Sequence, residues 1–129
     1  MVKLTVMNNE NQIANDAGIQ LKGSKGPNLE GGLSPKELLE GAVALCLSIT
    51  LEKVLERDGV QVNFDELTID VEASKREGVD NRFTDFSVEV VFPSSLEPKY
   101  KQKLLKVIER GCTISNTLTG EVDVSIKQK

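Results

Sequence analysis

The sequence predicts an α+β fold in which a long buried central helix packs on antiparallel sheet. Three observations lead there. A helix-opening signal at residues 34–37 is followed by some twenty mostly apolar residues. Two later segments alternate apolar and polar residues with period two. A second helical pattern, apolar on one side only, follows them.

Taken in order, Val2 to Met7 reads as a strand, followed by a polar turn through Asn8 to Asn11, and Ile19 to Lys22 as another short strand. The stretch KGSKGPNLEGG is loop by its Gly, Pro, Ser and Asn content. In SPKE, Ser34 caps, Pro35 suits the first helical position, and Glu37 completes a capping box. Asp58-Gly59 supplies the stop, so the helix ends near Arg57. Such a helix is about 34 Å long at 1.5 Å per residue. Leu38, Leu39, Ala42, Val43, Ala44, Leu45, Leu47, Ile49 and Leu51 surround it. A helix apolar on every side needs cover on every side. One small domain hardly provides that, so a dimer with a shared core is expected.

Leu67, Ile69, Val71 and Ala73 form the apolar face of one strand; Phe86, Val88, Val90 and Phe92 form that of the next. SKREGVDNR between them is a hairpin-length connection. The amphipathic helix runs over about 97–110, with Tyr100, Leu104, Val107 and Ile108 inward. Gly111 ends it, CTISNTL begins a short helix or turn at Cys112, and Val122, Val124 and Ile126 alternate in an expected closing strand. With no linker, repeat or low-complexity segment, residues 1–129 read as a single domain.

Composition narrows the functions. A net charge of −4 with dispersed lysines argues against nucleic acid as a partner. Leu38 to Leu51, interrupted by Glu40, falls short of the ~18 apolar residues of a membrane span. No secretory leader is read at the start, and two cysteines make no secreted disulfide framework, so a cytoplasmic setting is expected. The chain has no histidine. That removes His-activated nucleophiles and the commonest metal ligand, and no metal or cofactor is expected.

The two cysteines are the candidate chemistry. Cys46 on its apolar helix reads either as a small core hydrophobe or as a reactive thiol. The dipole of its own helix does not reach it, since it lies some 16 Å from that helix's start. Cys112 reads as a cap or packing residue, or as a thiol whose pKa nearby amides lower. Without histidine, any reactive thiolate depends on a Lys or Arg, a helix N-terminus or hydrogen-bond donors. The glycine-rich loop before Ser34 lacks the G-x-x-x-x-G-K-[ST] order of a phosphate cradle and reads as plain loop.

SPKELLEGAVALC and, much later, RGCTISNTL resemble the two cysteine motifs of the OsmC/Ohr family, the osmotically inducible and organic hydroperoxide resistance proteins. The order of elements is similar over nearly the whole chain. The resemblance implies an intertwined homodimer and thiol-dependent reduction of organic hydroperoxides, an antioxidant oxidoreductase activity without cofactor. It makes Cys46 the peroxidatic thiol, oxidised to a sulfenic acid, and Cys112 the resolving thiol that closes a disulfide. An external dithiol then reduces that disulfide. Glu37 is the candidate supporting carboxylate. The alternative is a non-catalytic member that binds an apolar small molecule or senses redox state.

The sequence also departs from the peroxidase pattern. Lys36 stands ten residues before Cys46, where peroxidase members carry glutamate, and Glu37 gives a P-x-E-L variant that resembles a separate branch. No arginine precedes Arg57, which leaves Lys22, Lys25 or Lys36 as candidates for the activating cation. Thr113 follows Cys112 where proline is usual.

Overall fold

The computed structural model describes residues 1–129. The chain comprises two compact units, Met1–Gly41 and Ala42–Lys129.

The first unit is a three-stranded antiparallel meander followed by a loop. β1 (Val2–Met7) pairs with β2 (Glu10–Asn15), which pairs with β3 (Gln20–Gly23). Asn8 and Asn9, at φ 52° and 64°, are the whole β1–β2 turn. Two left-handed residues match the twist of a two-residue hairpin, and asparagine tolerates that region. The expected turn through Asn11 is therefore shorter, and β2 is a strand that the sequence pattern did not announce. Its residues, ENQIAN, are too polar to alternate visibly. After β3 the loop folds back on the strand. Leu33 N donates to Lys22 O at 3.0 Å and Ser24 N to Leu33 O at 2.8 Å. A side chain at Gly32 would sit 2.5 Å from that same Lys22 oxygen, so only glycine passes there.

The loop leads into α1 (Pro35–Arg57), whose start is the expected capping box. Glu37 N donates to Ser34 Oγ at 3.2 Å, and Ser34 N donates to Glu37 Oε1 at 2.9 Å. Two of the helix's orphan amides are thus satisfied reciprocally. The Ser34 bonds hold the Glu37 carboxyl below its ordinary pKa. At the other end Gly59 N bonds Glu56 O and Val60 N bonds Leu55 O, with Gly59 at φ 69°. This is the Schellman arrangement, and its left-handed position favours glycine.

In the second unit, Val43, Leu47, Leu51, Val54 and Leu55 form one buried stripe of α1. α2 (Pro98–Gly111) brings Leu104 and Ile108 against that stripe, joined by Leu96 and Cys112. The antiparallel pair β4 (Thr68–Ser74) and β5 (Asp85–Val91) supplies Ile69, Val71 and Phe86, and Leu67 and Phe92 flank it. Its register places Ile69 opposite Val90, Val71 opposite Val88 and Ala73 opposite Phe86, so the predicted apolar faces coincide. Tyr100 Oη donates to Asp58 Oδ2 at 2.8 Å, tying α2 to the end of α1.

α1 is not covered on every side within the chain, as expected of one small domain: Leu45 is 63% and Ile49 43% exposed. Four residues apart, they share a face. One expectation is corrected: the closing strand does not form. Residues 121–129 have no regular secondary structure, and Val122, Val124 and Ile126 are exposed. Period-two alternation specifies a face but not a neighbour, and a strand without a ladder partner gains nothing from its pattern.

A candidate paired-thiol site

α1 carries Cys46 half-buried on the side that meets the α2–α3 junction. Cys112 is that junction: the residue after the last turn of α2 and the N-cap of α3 (Thr113–Thr119). Its backbone is extended, at φ −80° and ψ 109°, as a cap requires. Its Sγ accepts a hydrogen bond from Ser115 N at 3.4 Å. Asn116 Nδ2 donates to Arg110 O at 3.0 Å, holding the turn from the far side. Cys112 is completely buried, and both cysteines are free thiols.

The two thiols lie close enough to influence each other, and their surroundings displace their pKa values in opposite directions. The Ile114 amide is the foremost donor to the Cys46 sulfur. Burial opposes it, while the Cys112 thiol, the Thr113 amide and the Thr50 hydroxyl assist it. The outcome is a Cys46 thiol held below its ordinary pKa. Burial chiefly pushes Cys112 up, and its hydrogen bond to Cys46 adds to the rise, outweighing the Ser115 amide. Charge therefore collects on Cys46 and the proton stays on Cys112.

Of the three means of thiolate stabilisation, the one found beside Cys46 is hydrogen-bond donors at the start of a helix, of α3 rather than of α1. The expected lowering of Cys112 by its neighbouring amides is corrected: two of those amides serve Cys46, and burial wins at Cys112 itself. Two of the three cation candidates have other engagements. Lys36 pairs with Glu40 at 3.0 Å and Lys22 with Glu10 at 3.3 Å, while every donor that lowers Cys46 is neutral. Glu37 is engaged in the helix cap. Sequence reasoning did not single out Thr50. Its signal was the i+4 spacing from Cys46, and Thr50 Oγ1 donates to Cys46 O at 2.9 Å.

A cavity of about 530 Å³ opens among the same elements. Val43, Leu47, Phe86, Val88 and Ile108 give it apolar walls, and Ser115, whose amide bonds Cys112, reaches it from α3. This volume lies within the range of small-molecule pockets.

The family profile described as OsmC-like protein matches residues 26–127. The chain belongs to the OsmC family. Three solved structures illustrate the likeness of this OsmC-family chain to others. An OsmC-like protein from Mycoplasma pneumoniae is 14% identical, with a TM-score of 0.78 over 93% of this chain and 86% of that one. An OsmC-like protein from Vibrio cholerae is 16% identical, with a TM-score of 0.69 over 91% and 90%. The organic hydroperoxide resistance protein OhrB of Bacillus subtilis is 21% identical, with a TM-score of 0.60 over 100% and 98%. At these identities the likeness is one of fold. No curated protein matches the chain in sequence. No helix of this OsmC-family chain is long and apolar enough to cross a membrane.

Proposed function

We propose that the chain reduces organic hydroperoxides through Cys46 and Cys112, with residues 1–129 acting as one OsmC-like domain. One observation carries this reading: two free thiols close together, one held below its ordinary pKa and the other above it. In the first step the Cys46 thiolate attacks the O–O bond. Cys46 becomes a sulfenic acid, and the alkoxide leaves as the alcohol after taking one proton. In the second step the Cys112 sulfur displaces hydroxide from the sulfenic acid; with the Cys112 proton this leaves as water, and a disulfide forms. An external dithiol then exchanges with the disulfide, restoring both thiols and ending oxidised itself. No cofactor enters this scheme. The apolar walls of the adjacent cavity suit an organic peroxide better than hydrogen peroxide. Glu37 supports the scheme as the clamp on the start of the Cys46 helix, and in this reading the SPKEL spelling is the mark of a P-x-E-L branch of the family. Free thiols suit the reducing cytoplasm.

The working unit in this proposal is a homodimer. Leu45 and Ile49 give α1 an exposed apolar face that a second copy would cover. Leu45→Glu is expected to convert a dimeric wild-type elution volume to a monomeric one, read by size exclusion with light scattering. A monomeric wild type would end the dimer proposal.

The cavity also favours a second reading, in which the protein binds an apolar small molecule and its thiols are idle or sense redox state. Titrating free thiols before and after one equivalent of cumene hydroperoxide separates the two. The peroxidase reading expects both thiols of each chain to disappear. Unchanged thiols, with saturable binding of an apolar fluorescent probe, would favour the second.

A further inference from the structure

Thr50 is held from two sides. Its Oγ1 donates to the Cys46 carbonyl one turn earlier, and the same hydroxyl contributes to lowering the Cys46 thiol pKa. On the opposite side, α2 ends with bare backbone against the Thr50 methyl. A Cβ added to Gly111 would lie 2.9 Å from Thr50 Cγ2, inside van der Waals contact.

Gly111 is the last residue of α2 and is not among the glycines with positive φ. Backbone conformation therefore does not require glycine here; space does. A helical threonine has only a few χ1 rotamers, so moving its methyl aside is a rotamer change that moves the hydroxyl as well. Either Thr50 rotates or the end of α2 lifts. The residues directly after Gly111 are Cys112, Thr113 and Ile114, the very group that donates to Cys46. Lifting the end of α2 lifts those donors too.

We propose that Gly111 and Thr50 are positioning residues, whose close backbone-to-methyl approach sets how near the Cys112–Ile114 turn comes to the Cys46 sulfur. The inference rests on Cys46 being the reactive thiol of the proposed function, and it names what holds that thiol's donors in place. Cys112 is the titratable group facing Cys46; Thr50 faces it from α1, and the Thr113 and Ile114 amides face it from α3. The Cys46 titration therefore reports on this approach.

The test is the pH dependence of iodoacetamide alkylation of the full chain, read by mass spectrometry of the Cys46 peptide, with no peroxide present. Gly111→Ala is expected to move the midpoint upward and slow alkylation at pH 7 by roughly two- to tenfold, as the thiolate fraction falls. Thr50→Val, which keeps the shape but loses the hydroxyl, moves it the same way. Thr50→Ser retains the hydroxyl but opens a gap where the methyl met Gly111, and displaces the profile less than Gly111→Ala does. The double variant Gly111→Ala/Thr50→Ser recovers toward wild type, because the added Cβ no longer meets a methyl. A merely structural role for Gly111 would not produce that rescue.

An unchanged Gly111→Ala profile overturns the proposal, as does a double variant no better than Gly111→Ala. Should Gly111→Ala fail to fold by circular dichroism, Thr50→Ser decides, since it removes the methyl alone: a profile equal to wild type is refuting. Because no peroxide is used, loss of the peroxidase reading leaves this result standing, and a flat alkylation series leaves the peroxide assay untouched.

Discussion

Cys46→Ser is expected to cut hydroperoxide consumption by on the order of 10³-fold, measured as loss of cumene hydroperoxide with a dithiol in excess. The amides of Thr113 and Ile114 ease the ionisation of a thiol, whereas a serine hydroxyl ionises far too weakly for the same donors to make it a nucleophile at neutral pH. Cys112→Ser should behave differently. Cys46 still reacts once, but its sulfenic acid then has no neighbouring thiol, and further peroxide carries it to sulfinic acid. Activity should therefore decay over successive turnovers, with two added oxygens on the Cys46 peptide. The wild-type pH profile has a definite sign. A lowered thiol pKa means that Cys46 loses its proton at a lower pH than an ordinary thiol. The rate should rise with pH through that range and level off early; as pH falls, protonation removes the nucleophile. Cys112, displaced upward, keeps its proton over the same range. A Cys46→Ser protein as active as wild type would refute the assigned chemistry.

How much of this was legible in the residues varies by element. The start of α1 was fully legible, because a capping box is a local motif and both of its reciprocal bonds form. So were β4 and β5, whose alternation survives in the register. Local signals failed where the outcome depends on distant chain. Residues 122–126 alternate as well as β4 does, yet they form no strand, since a pattern does not carry its own partner. β2 shows the converse: polar residues become a strand because Asn8 and Asn9 turn the chain back onto β1. The site shows the same division. Two cysteines without histidine pointed to a pair that the fold places close together. The identity of the donors did not follow, because Thr113 and Ile114 act through backbone amides, which every residue possesses. Only the fold decides where those amides point. A cation, a helix start and hydrogen-bond donors were equally open from the sequence; the groups that lower the Cys46 pKa are neutral donors at the start of α3 and on α1.

Leu51→Ala is expected to be the most costly single truncation in α1. Leu51 has no exposed surface, and it packs among Leu47, Leu55, Leu104 and Ile108, where two helices meet. Removing its isobutyl end forfeits the burial and leaves a cavity that rigid helices close poorly, a loss of about 2–5 kcal/mol. Against a total stability of about 5–15 kcal/mol this is a large fraction. The melting temperature should fall by roughly 10 °C or more, followed by circular dichroism. Leu45 on the same helix provides the internal control. At 63% exposure it contributes little to the fold of one chain, so Leu45→Ala should melt near wild type when the protein is dilute. If a second copy covers that face, the Leu45→Ala deficit should grow with protein concentration, because association adds stability by mass action. The Leu51→Ala deficit should then be large at every concentration. Equal, concentration-independent losses at both positions would mean that α1 does not divide its faces between the chain's own core and a partner.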